Sequence, residues 1–564
     1  MNRKVVDFLF AFLVFALPFK YIPRILWQTT LGGPFGNDLV VYPLLIGFIY
    51  TFYCQWKYRN VFFRWNIFKK FILAYVGVLL VSLIWGLINY PYYDQILAGP
   101  ADQIEKLPKV LALLHSIGIP IAQKTLLEFW MFARPIKGVF FEALYTFGAA
   151  YMIFCWYHDR VHRAIDILLK VTTVDLAIVA AYGLVDVCYQ NGQMWAQNVL
   201  ATINPILHAD VVPQWIPVGY HVSLFWDSQN RSIFQEPSYF GIYMAFAFPM
   251  LWWNILRVQN KGKKAALFVL YLILAFEIFL TQSRMALSVN LGVLVVFAII
   301  SLYRRQKELL ILLMALVIGG GAAFTGSMQF IKSGQVPSNI GEMTPLATRW
   351  QDIQLKNKNI KKDVAPNEKK DIVRKGNKNI NASMYIEDNL KSISGEDKKG
   401  KHAGSNHTRL TVILTNLEIG KEHPLLGVGT SLRMAYLRDK LDKDPGQEIQ
   451  NNNRTIDQRG ILRGAYGNLG DYAVRFAETG FLGLGLFLMP IVLLLLTAAK
   501  RLLKRETVPA ISDPILFSGL SFIGSMATGL SDGLTYTFCG WLMMALCYAI
   551  IVKNGQLFKI KNKG

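Results

Sequence analysis

Long apolar segments recur along this chain of 564 residues, and they constrain its fold more than any other feature of the sequence. A helix of about 20 residues spans a bilayer and satisfies its own backbone hydrogen bonds in lipid, so each long apolar segment is predicted to be a helix. We therefore predict an all-α polytopic membrane protein. Its twelve predicted transmembrane helices lie near residues 5–25, 38–55, 71–90, 138–157, 166–188, 237–256, 265–282, 284–303, 309–327, 479–499, 514–531 and 535–552.

The composition agrees with this prediction and argues against a soluble enzyme. Hydrophobic residues make up 53% of the chain and charged residues 17%, and that charged fraction is well below the roughly 25% of an average soluble domain. In a soluble protein, the net charge of +22 would indicate nucleic acid as a partner. Here it is interpreted as anchoring charge at a membrane, and no nucleic-acid partner is predicted.

The distribution of Lys and Arg residues orients the predicted spans. These residues cluster in every second loop, at positions 57–70, 160–163, 257–264, 304–307, 500–505 and 553–563. Because cytoplasmic loops of membrane proteins are enriched in Lys and Arg, the alternation predicts that both termini lie in the cytoplasm. The chain is accordingly predicted to be a multi-pass protein of the cytoplasmic (inner) membrane.

This topology divides the chain into three parts. Residues 1–327 form a membrane domain with spans 1–9, residues 328–478 form one large extracytoplasmic loop, and residues 479–564 form the last three spans and a cytoplasmic tail. Within the loop, residues 351–408 are rich in Lys, Asn and Asp and are predicted to be poorly ordered. Residues 409–478 regain apolar periodicity and are predicted to fold against the membrane domain.

Two arginines stand near predicted outer ends of spans, where the orientation rule disfavours them. Arg231 is the only Lys or Arg of a long outer loop, and it precedes Glu236, which would lie at the positive end of the helix that begins at Pro237. Arg284 opens the eighth span after a very short outer turn. A helix start alone would explain Glu236, and snorkelling would explain Arg284. Ionisable residues at membrane depth usually have a partner or a function, so both arginines are candidate site residues.

A glycine turn lies in the second half of the large loop. Residues 423–430 have the sequence His-Pro-Leu-Leu-Gly-Val-Gly-Thr, in which Gly427 and Gly429 permit a tight turn and a close approach of the backbone to a ligand. A simple turn after a helix is an equally good interpretation.

The fourth motif lies where the loop re-enters the membrane. Asp471 precedes Arg475 and Glu478, which stand three residues apart on one helical face and are predicted to pair. Gly480 and Gly483 follow, and they are interpreted as helix-packing residues.

In their order, spacing and common side, these motifs resemble those of the O-antigen polymerase and O-antigen ligase family of membrane glycosyltransferases. The resemblance covers residues 231–490 and the overall plan of the chain. Three elements carry it: Ser-Arg-x-Ala at the start of a span, a His-Pro-Leu-x-Gly-x-Gly turn and an Ala-Glu-x-Gly-x-x-Gly helix start. They stand here at residues 283–286, 423–429 and 477–483.

The resemblance implies an enzyme whose donor is a glycan carried on undecaprenyl diphosphate, acting on the outer face of the membrane in O-antigen, capsule or exopolysaccharide synthesis. Its partners would be these lipid-linked glycans and membrane lipids, with a chain-length regulator and a flippase as candidate protein partners. No cofactor is implied, and the five cysteines and scattered histidines have no metal-ligand spacing.

The chemistry of such a transfer suggests roles for the candidate residues. Arg231 and Arg284 would stabilise the leaving diphosphate through charge-assisted hydrogen bonds. The turn that contains His423, Gly427 and Gly429 would contact the glycan. A base near the acceptor hydroxyl would complete the site, and direct displacement would invert the anomeric centre.

Glu236 is the first candidate for this base, and Glu478 and Asp471 follow. Ligases of the family carry a His-Asn pair shortly before the Glu of the helix start, and that His is thought to act as the base. Residues 467–472 occupy the corresponding stretch here and contain no His. This departure favours a polymerase, which moves the growing chain from its lipid diphosphate onto the next lipid-linked repeat unit.

Other hypotheses stay open at the level of the sequence. A ligase would move the finished chain onto a different acceptor, such as lipid A–core. A flippase or exporter of lipid-linked oligosaccharides would be expected to have short loops and charges within its spans. A peptidoglycan glycosyltransferase shares the lipid carrier but gives no reason for the motifs, and a non-catalytic scaffold would not explain Arg231 or Arg284.

Overall fold

The computed structural model describes residues 2–19, 39–57, 67–98, 107–191, 193–207, 229–234, 236–333, 403–460, 466–503, 514–534 and 538–561. All regular secondary structure in these ranges is helical. In chain order the helices are α1 (Arg3–Phe15), α2 (Val41–Lys57), α3 (Ile67–Ile88), α4 (Tyr93–Ala98), α5 (Leu107–Ser116), α6 (Gln123–Tyr157), α7 (Val161–Gln190), α8 (Met194–Leu207), α9 (Pro237–Arg257), α10 (Lys261–Leu280), α11 (Arg284–Arg304), α12 (Lys307–Ser333), α13 (Ala403–Glu422), α14 (Arg433–Lys440), α15 (Gln447–Arg459), α16 (Asp471–Leu502), α17 (Pro514–Ala527) and α18 (Phe538–Lys561).

Six of the described helices are long and apolar enough to cross a membrane. They are α6, α9, α11, α16 and the apolar parts of α3 and α12, at Lys70–Ile88 and Lys307–Phe330. The prediction of an all-α chain with several candidate membrane spans is thus confirmed for the described residues. Helices also lie at the other six predicted positions, but the count of twelve spans and the cytoplasmic placement of both termini stay predictions.

The local sequence explains where α9 and α11 begin. Pro237 occupies the first turn of α9, where its fixed φ suits a helix and its missing N–H leaves no bond unmade, and Glu236 precedes it in an extended conformation. At the start of α11, the Ser283 hydroxyl accepts a hydrogen bond from the Ala286 N–H at 3.4 Å. Glu236 and Arg284 therefore lie at the two helix starts where the sequence predicts them.

Helix α9 is the most buried of the candidate membrane spans. Other parts of the chain bury 89% of the residues in its apolar window, against 22% for α11. It packs against both α11 and α17, and α17 packs in turn against α18. Helix α13 of the large loop packs against α16, so the loop and the next membrane segment meet directly.

A buried aromatic cluster joins α3, α6, α16 and α18. Edge-to-face contacts connect its rings, with centroids 4.9 Å apart for Phe147 and Trp541, 5.5 Å for Phe487 and Trp541, and 5.4 Å for Tyr75 and Phe147. The guanidinium carbon of Arg475 lies 3.8 Å from the centroid of Phe487. The cluster therefore forms an apolar surface against which Arg475, one of the charged residues described below, packs.

Helix α6 differs from the prediction. The sequence predicts a span at 138–157, but the helix begins at Gln123 and continues through a π-helical turn at Leu144–Gly148. The first half of the helix contains charged residues, such as Lys124 and Glu128, that interrupt its apolar pattern. A hydropathy profile therefore detects only its second half.

In the large loop, α13 begins at Ala403, inside the segment 351–408 for which poor order is predicted. Residues 351–402 lie outside the described residues, and so does most of the long outer loop that precedes Arg231.

Candidate active site

The four polar motifs meet in two pairs, and the first pair joins the starts of α9 and α11. Gly241 of α9 faces Ala286 of α11 so closely that a Cβ added at Gly241 would lie 2.1 Å from the Ala286 Cβ. Asn290 Nδ2 donates to the Gly241 carbonyl at 3.0 Å. The first turn of α9, which follows Glu236, therefore lies beside the first turn of α11, which begins with Arg284.

The second pair joins the glycine turn, residues 423–430, to a break in α16. Gly480 has φ 61° and ψ −161°, a conformation that interrupts the helix and leaves backbone groups without helical partners. The glycine turn supplies those partners. The Val428 N–H donates to the Ala477 carbonyl at 2.9 Å, and the Phe481 N–H donates to the Pro424 carbonyl at 2.7 Å.

This junction changes the interpretation of the glycines. Gly480 creates the break in α16 and is not simply a helix-packing residue. In the turn, Gly427 adopts a φ of 66°, and the Gly429 N–H donates to the Glu478 carbonyl at 3.0 Å. The glycine turn therefore holds the backbone of Glu478, and its contact with a glycan stays a prediction.

Helix α3 also forms hydrogen bonds with this junction. The Ser82 hydroxyl lies within hydrogen-bond distance of two carbonyl oxygens, at 2.8 Å from Leu426 and 2.7 Å from Glu478. The Thr430 hydroxyl donates to the Leu79 carbonyl at 2.9 Å. Three segments that are distant in the sequence therefore meet at Glu478.

Arg475 lies in a buried network of opposite charge next to the junction. Its Nε donates to Asp471 Oδ2 at 2.6 Å, and its Nη1 contacts both Glu142 and the Tyr75 hydroxyl. The Tyr75 hydroxyl donates to Glu142 Oε1 at 2.7 Å. A buried charge is costly unless it is paired and hydrogen-bonded, and this network provides both. The sequence predicts that Arg475 pairs with Glu478, whereas the structure pairs it with Asp471 and Glu142.

Glu478 pairs with Arg433, the first residue of α14. Arg433 Nε lies 3.2 Å from Glu478 Oε1, and the side chains are 2% and 18% exposed, respectively. Arg433 Nη2 donates to Asn468 Oδ1 at 3.0 Å, whereas Nη1 is buried without a hydrogen-bond partner in the described part of the chain. Burial lowers the pKa of Arg433, and the negative charge of Glu478 opposes that shift. One buried guanidinium donor is therefore left unsatisfied in the described part of the chain.

Glu236 lies among charged side chains before the start of α9. Its Oε2 accepts a hydrogen bond from the Ser238 hydroxyl at 3.1 Å. Burial raises the pKa of Glu236 above its usual 4.5, and the hydrogen bond from Ser238 opposes that shift. Of the neighbouring charges, Asp532 raises this pKa further, while Arg409 and Arg231 lower it. Glu236 is thus a carboxyl group whose basicity is increased by its surroundings.

Asp532 and Arg231 connect Glu236 to the rest of the protein. The Asp532 carbonyl accepts a hydrogen bond from the Asp471 N–H at 3.3 Å, which links the first pair of motifs to the second. Arg231 is 1% exposed, so it is not a surface anchor. Burial lowers the pKa of Arg231, and neighbouring acidic groups, Glu236 among them, oppose that shift.

Backbone strain concentrates at the same motifs. Four non-glycine residues in the described part of the chain have positive φ, and three of them lie in or beside the motifs: Ser232 at 48°, Gln282 at 49° and Ser431 at 64°. This conformation is unfavourable for residues with a side chain and clusters at functional sites. Ser232 directly follows Arg231, Gln282 shortly precedes Arg284, and Ser431 directly follows the glycine turn.

Sequence reasoning missed Arg433, Glu142, Tyr75 and Ser82. Glu142 could have been found from the sequence, because it is an ionisable residue within a predicted span. The only sequence feature that marks Arg433 is its position soon after the glycine turn. Of the predicted residues, His423 lies to one side, where its ring packs against Tyr436 with centroids 5.7 Å apart.

Chemically, the arrangement offers buried guanidinium groups beside carboxylates. Guanidinium donors suit the binding of phosphate oxygens, and a carboxylate with a raised pKa suits proton transfer. Among the described residues, no group of three or more His, Cys, Asp or Glu side chains could hold a metal ion.

A family model described as O-antigen ligase matches residues 269–488. The match extends from α10 into α16, so it includes Arg284, the glycine turn and the break at Gly480, but it begins after Arg231 and Glu236. Comparisons with curated proteins and with solved structures gave no match. Residues 269–488 are therefore similar to the O-antigen ligase family, whose members are glycosyltransferase-like enzymes that act on lipid-linked glycans, and this similarity supports the resemblance that the motifs indicate.

Proposed function

We propose that this protein is a polysaccharide polymerase that joins undecaprenyl-diphosphate-linked repeat units on the outer face of the cytoplasmic membrane, in O-antigen, capsule or exopolysaccharide synthesis. One observation carries the proposal. Arg433 is buried against Glu478 at the junction of two motifs and keeps one nitrogen without a hydrogen-bond partner in the described residues. An oxygen of the donor diphosphate would satisfy that nitrogen, and leaving a buried donor unsatisfied is costly.

In this proposal, arginines bind the diphosphate. Arg433 contacts it directly, and Arg284 and Arg231 add positive charge from the starts of α11 and α9. Positive groups fixed in a dry site stabilise the negative charge that develops on the leaving diphosphate, because they need no reorganisation during the reaction.

Glu236 acts as the base. Glu478 and Asp471 are tied to Arg433 and Arg475, and protonation of either would leave a buried arginine with less compensating charge. At Glu236, the effect of burial outweighs the positive charges of Arg409 and Arg231 and raises the pKa, which suits a proton acceptor.

The reaction is a single displacement. A hydroxyl oxygen of the lipid-linked acceptor unit attacks the anomeric carbon of the growing chain and gives its proton to Glu236. The bond from that carbon to the diphosphate oxygen breaks, and undecaprenyl diphosphate leaves with both bonding electrons. The anomeric centre is inverted.

The choice of polymerase over ligase rests on residues 467–472. Where ligases of the family place a His-Asn pair, this chain has no His, and Asn468 accepts a hydrogen bond from Arg433. A ligase-type transferase with a carboxylate base is the alternative. A flippase that supplies repeat units and a regulator that sets chain length are the proposed protein partners.

The test compares Glu236→Gln, Arg433→Lys and Arg284→Ala in cells that lack the native copy. Glu418→Gln, which changes an exposed residue of the same loop, and Arg438→Lys, which changes a partly exposed one, are matched controls. Lipid-linked and surface glycans would be separated by size after equal membrane abundance is confirmed. We expect the three site variants to lose long polymer while single repeat units persist, and the controls to retain it.

Other outcomes would replace the proposal. Long polymer that stays on the lipid carrier and never reaches its final acceptor would indicate a ligase. Repeat units trapped on the cytoplasmic face would indicate a transporter.

A further inference from the structure

Four tyrosine rings cluster where the chain leaves α3, on the predicted outer side. The ring centroid of Tyr90 lies 5.5 Å from that of Tyr92 and 5.3 Å from that of Tyr93, and Tyr92 lies 5.0 Å from Tyr436 of α14. Tyr90 is buried, and the other three are partly exposed. This tyrosine cluster is therefore an aromatic surface with open faces.

The tyrosine cluster adjoins the proposed transfer site along two helices. In α3, Ser82 contacts the Glu478 carbonyl, and Tyr90 follows eight residues later, roughly 12 Å further along the helix direction. In α14, Tyr436 follows Arg433 by three residues, so the two are neighbours on one side of the helix. The cluster therefore adjoins the Arg433–Glu478 pair.

Polar groups surround the rings. The Tyr92 hydroxyl donates to Asp439 Oδ2 at 3.3 Å. The Tyr436 hydroxyl makes no hydrogen bond within the described part of the chain. Lys440 and Glu422 form an ion pair nearby at 2.7 Å. The surface thus combines flat apolar faces with hydroxyl and carboxylate groups at their edges.

We propose that the tyrosine cluster is a carbohydrate-binding subsite, which holds sugar residues of the lipid-linked glycan while its reducing end occupies the transfer site. The inference rests on the proposed function and specifies its substrate binding. A pyranose ring has a face of C–H groups and a rim of hydroxyls, and these match an aromatic face and the acceptors beside it. Such a subsite would keep the growing chain in place between successive additions.

A membrane-interface anchor is the competing explanation, because tyrosine is enriched at interfaces. Anchor rings face lipid, whereas Tyr92 packs against Tyr436 and bonds to Asp439. Charged groups are costly at acyl-chain depth, so Asp439 and the Lys440 ion pair place this surface outside the acyl chains.

The test uses free oligosaccharide, so that binding is measured apart from transfer. The probe is the host's own repeat-unit oligosaccharide, released from its lipid carrier by mild acid and titrated into the full-length protein in nanodiscs. Tyr436→Leu should weaken binding by about tenfold, the scale of one aromatic contact. Tyr436→Phe keeps the ring and should weaken binding by less. Tyr53→Leu changes an exposed tyrosine of α2 and should bind like the wild type.

Three outcomes decide the inference. Wild-type affinity in Tyr436→Leu would overturn it and would leave the membrane-interface anchor as the explanation. Lost affinity in both Tyr436→Leu and Tyr92→Leu, with normal thermal unfolding of both variants, would support it. If loss of the protein trapped repeat units on the cytoplasmic face while Tyr436→Leu lost oligosaccharide binding, the proposed transfer function would fail and the subsite would stand.

Discussion

Arg433 and Glu478 form a buried ion pair between α14 and α16, with Nε and Oε1 separated by 3.2 Å. Arg433 opens α14, and Glu478 stands two residues before the break in α16. The carbonyl of Glu478 is bonded to the glycine turn as well, so both its side chain and its backbone are fixed by the loop. Loop folding and the position of this carboxylate are therefore coupled.

Removing one partner of this pair is expected to destabilise the protein more than removing both. Arg433→Ala or Glu478→Ala leaves a buried charge without its partner and should lower the free energy of unfolding by about 3 kcal/mol. Combining Arg433→Met with Glu478→Leu should recover much of that loss. Unfolding in detergent micelles would measure the difference.

Arg438→Ala, in the same helix, is the matched control for this prediction. Arg438 pairs with Asp442 and Asp457, whose side chains are 56% and 53% exposed, so its loss should cost less than about 1 kcal/mol. Equal losses for the Arg433 and Arg438 variants would contradict the buried character of the first pair.

Transfer is expected to fail at low pH because of Glu236. Its pKa lies above 4.5, and a base acts only when deprotonated, so the rate should fall as the pH falls through this raised pKa. The hydrogen bond from Ser238 lowers the pKa of Glu236. Ser238→Ala should therefore raise that pKa further and move the acidic limb of the pH profile to higher pH.

Purified protein and lipid-linked repeat units would provide the pH profile. Glu236→Gln removes the base and should lower the rate by about 10²–10⁴-fold while abolishing the acidic limb. If the rate falls at the same pH in the wild type and in Ser238→Ala, the group that titrates is not Glu236.

The hydroxyl of Tyr75 is expected to matter for transfer, whereas that of Tyr271 is not. Both are buried donors, to Glu142 at 2.7 Å and to the Leu316 carbonyl at 2.8 Å. Tyr75→Phe and Tyr271→Phe should each cost about 1 kcal/mol of stability. Only Tyr75 contacts the Arg475 network, so only its variant should reduce polymer yield. Equal polymer yields from the two variants would show that the Arg475 network has no part in catalysis.

Helix starts could be predicted from the sequence because their causes are local. The predicted spans at 237–256 and 284–303 begin where α9 and α11 begin, since Pro237 and Ser283 are strong helix-start residues. Helix α6 could not be bounded in the same way, because its charged first half has the composition of a loop.

The pairing within the site could not be predicted from the sequence. Helical spacing makes Arg475 and Glu478 neighbours, but Arg475 pairs with Glu142 of another helix and Glu478 pairs with Arg433 of the loop. Spacing shows which residues can meet on one helix, whereas packing between helices decides which of them do. The motifs therefore marked the segments of the site and only some of its side chains.

Gly480→Ala is expected to disrupt the junction, whereas Gly485→Ala in the same helix is expected to be tolerated. Gly480 has a φ of 61°, and an added Cβ would lie 2.4 Å from the Leu425 carbonyl carbon. With a ψ of −161°, this backbone lies in a region that glycine almost alone adopts, so it costs a residue with a side chain about 1–3 kcal/mol, and the contact with Leu425 adds to that cost. At Gly485 an added Cβ meets nothing within 4 Å, and alanine favours a helix over glycine by about 1 kcal/mol.

Thermal unfolding and polymer length, measured on both variants, would test this expectation. Gly480→Ala should unfold at a lower temperature and lose long polymer, because the glycine turn can no longer bond across the break and hold Glu478. Gly485→Ala should match or exceed the wild type in stability and make polymer of normal length. If Gly480→Ala also made normal polymer, the break in α16 would not be needed to position Glu478, and the coupling between the loop and this carboxylate would have no part in transfer.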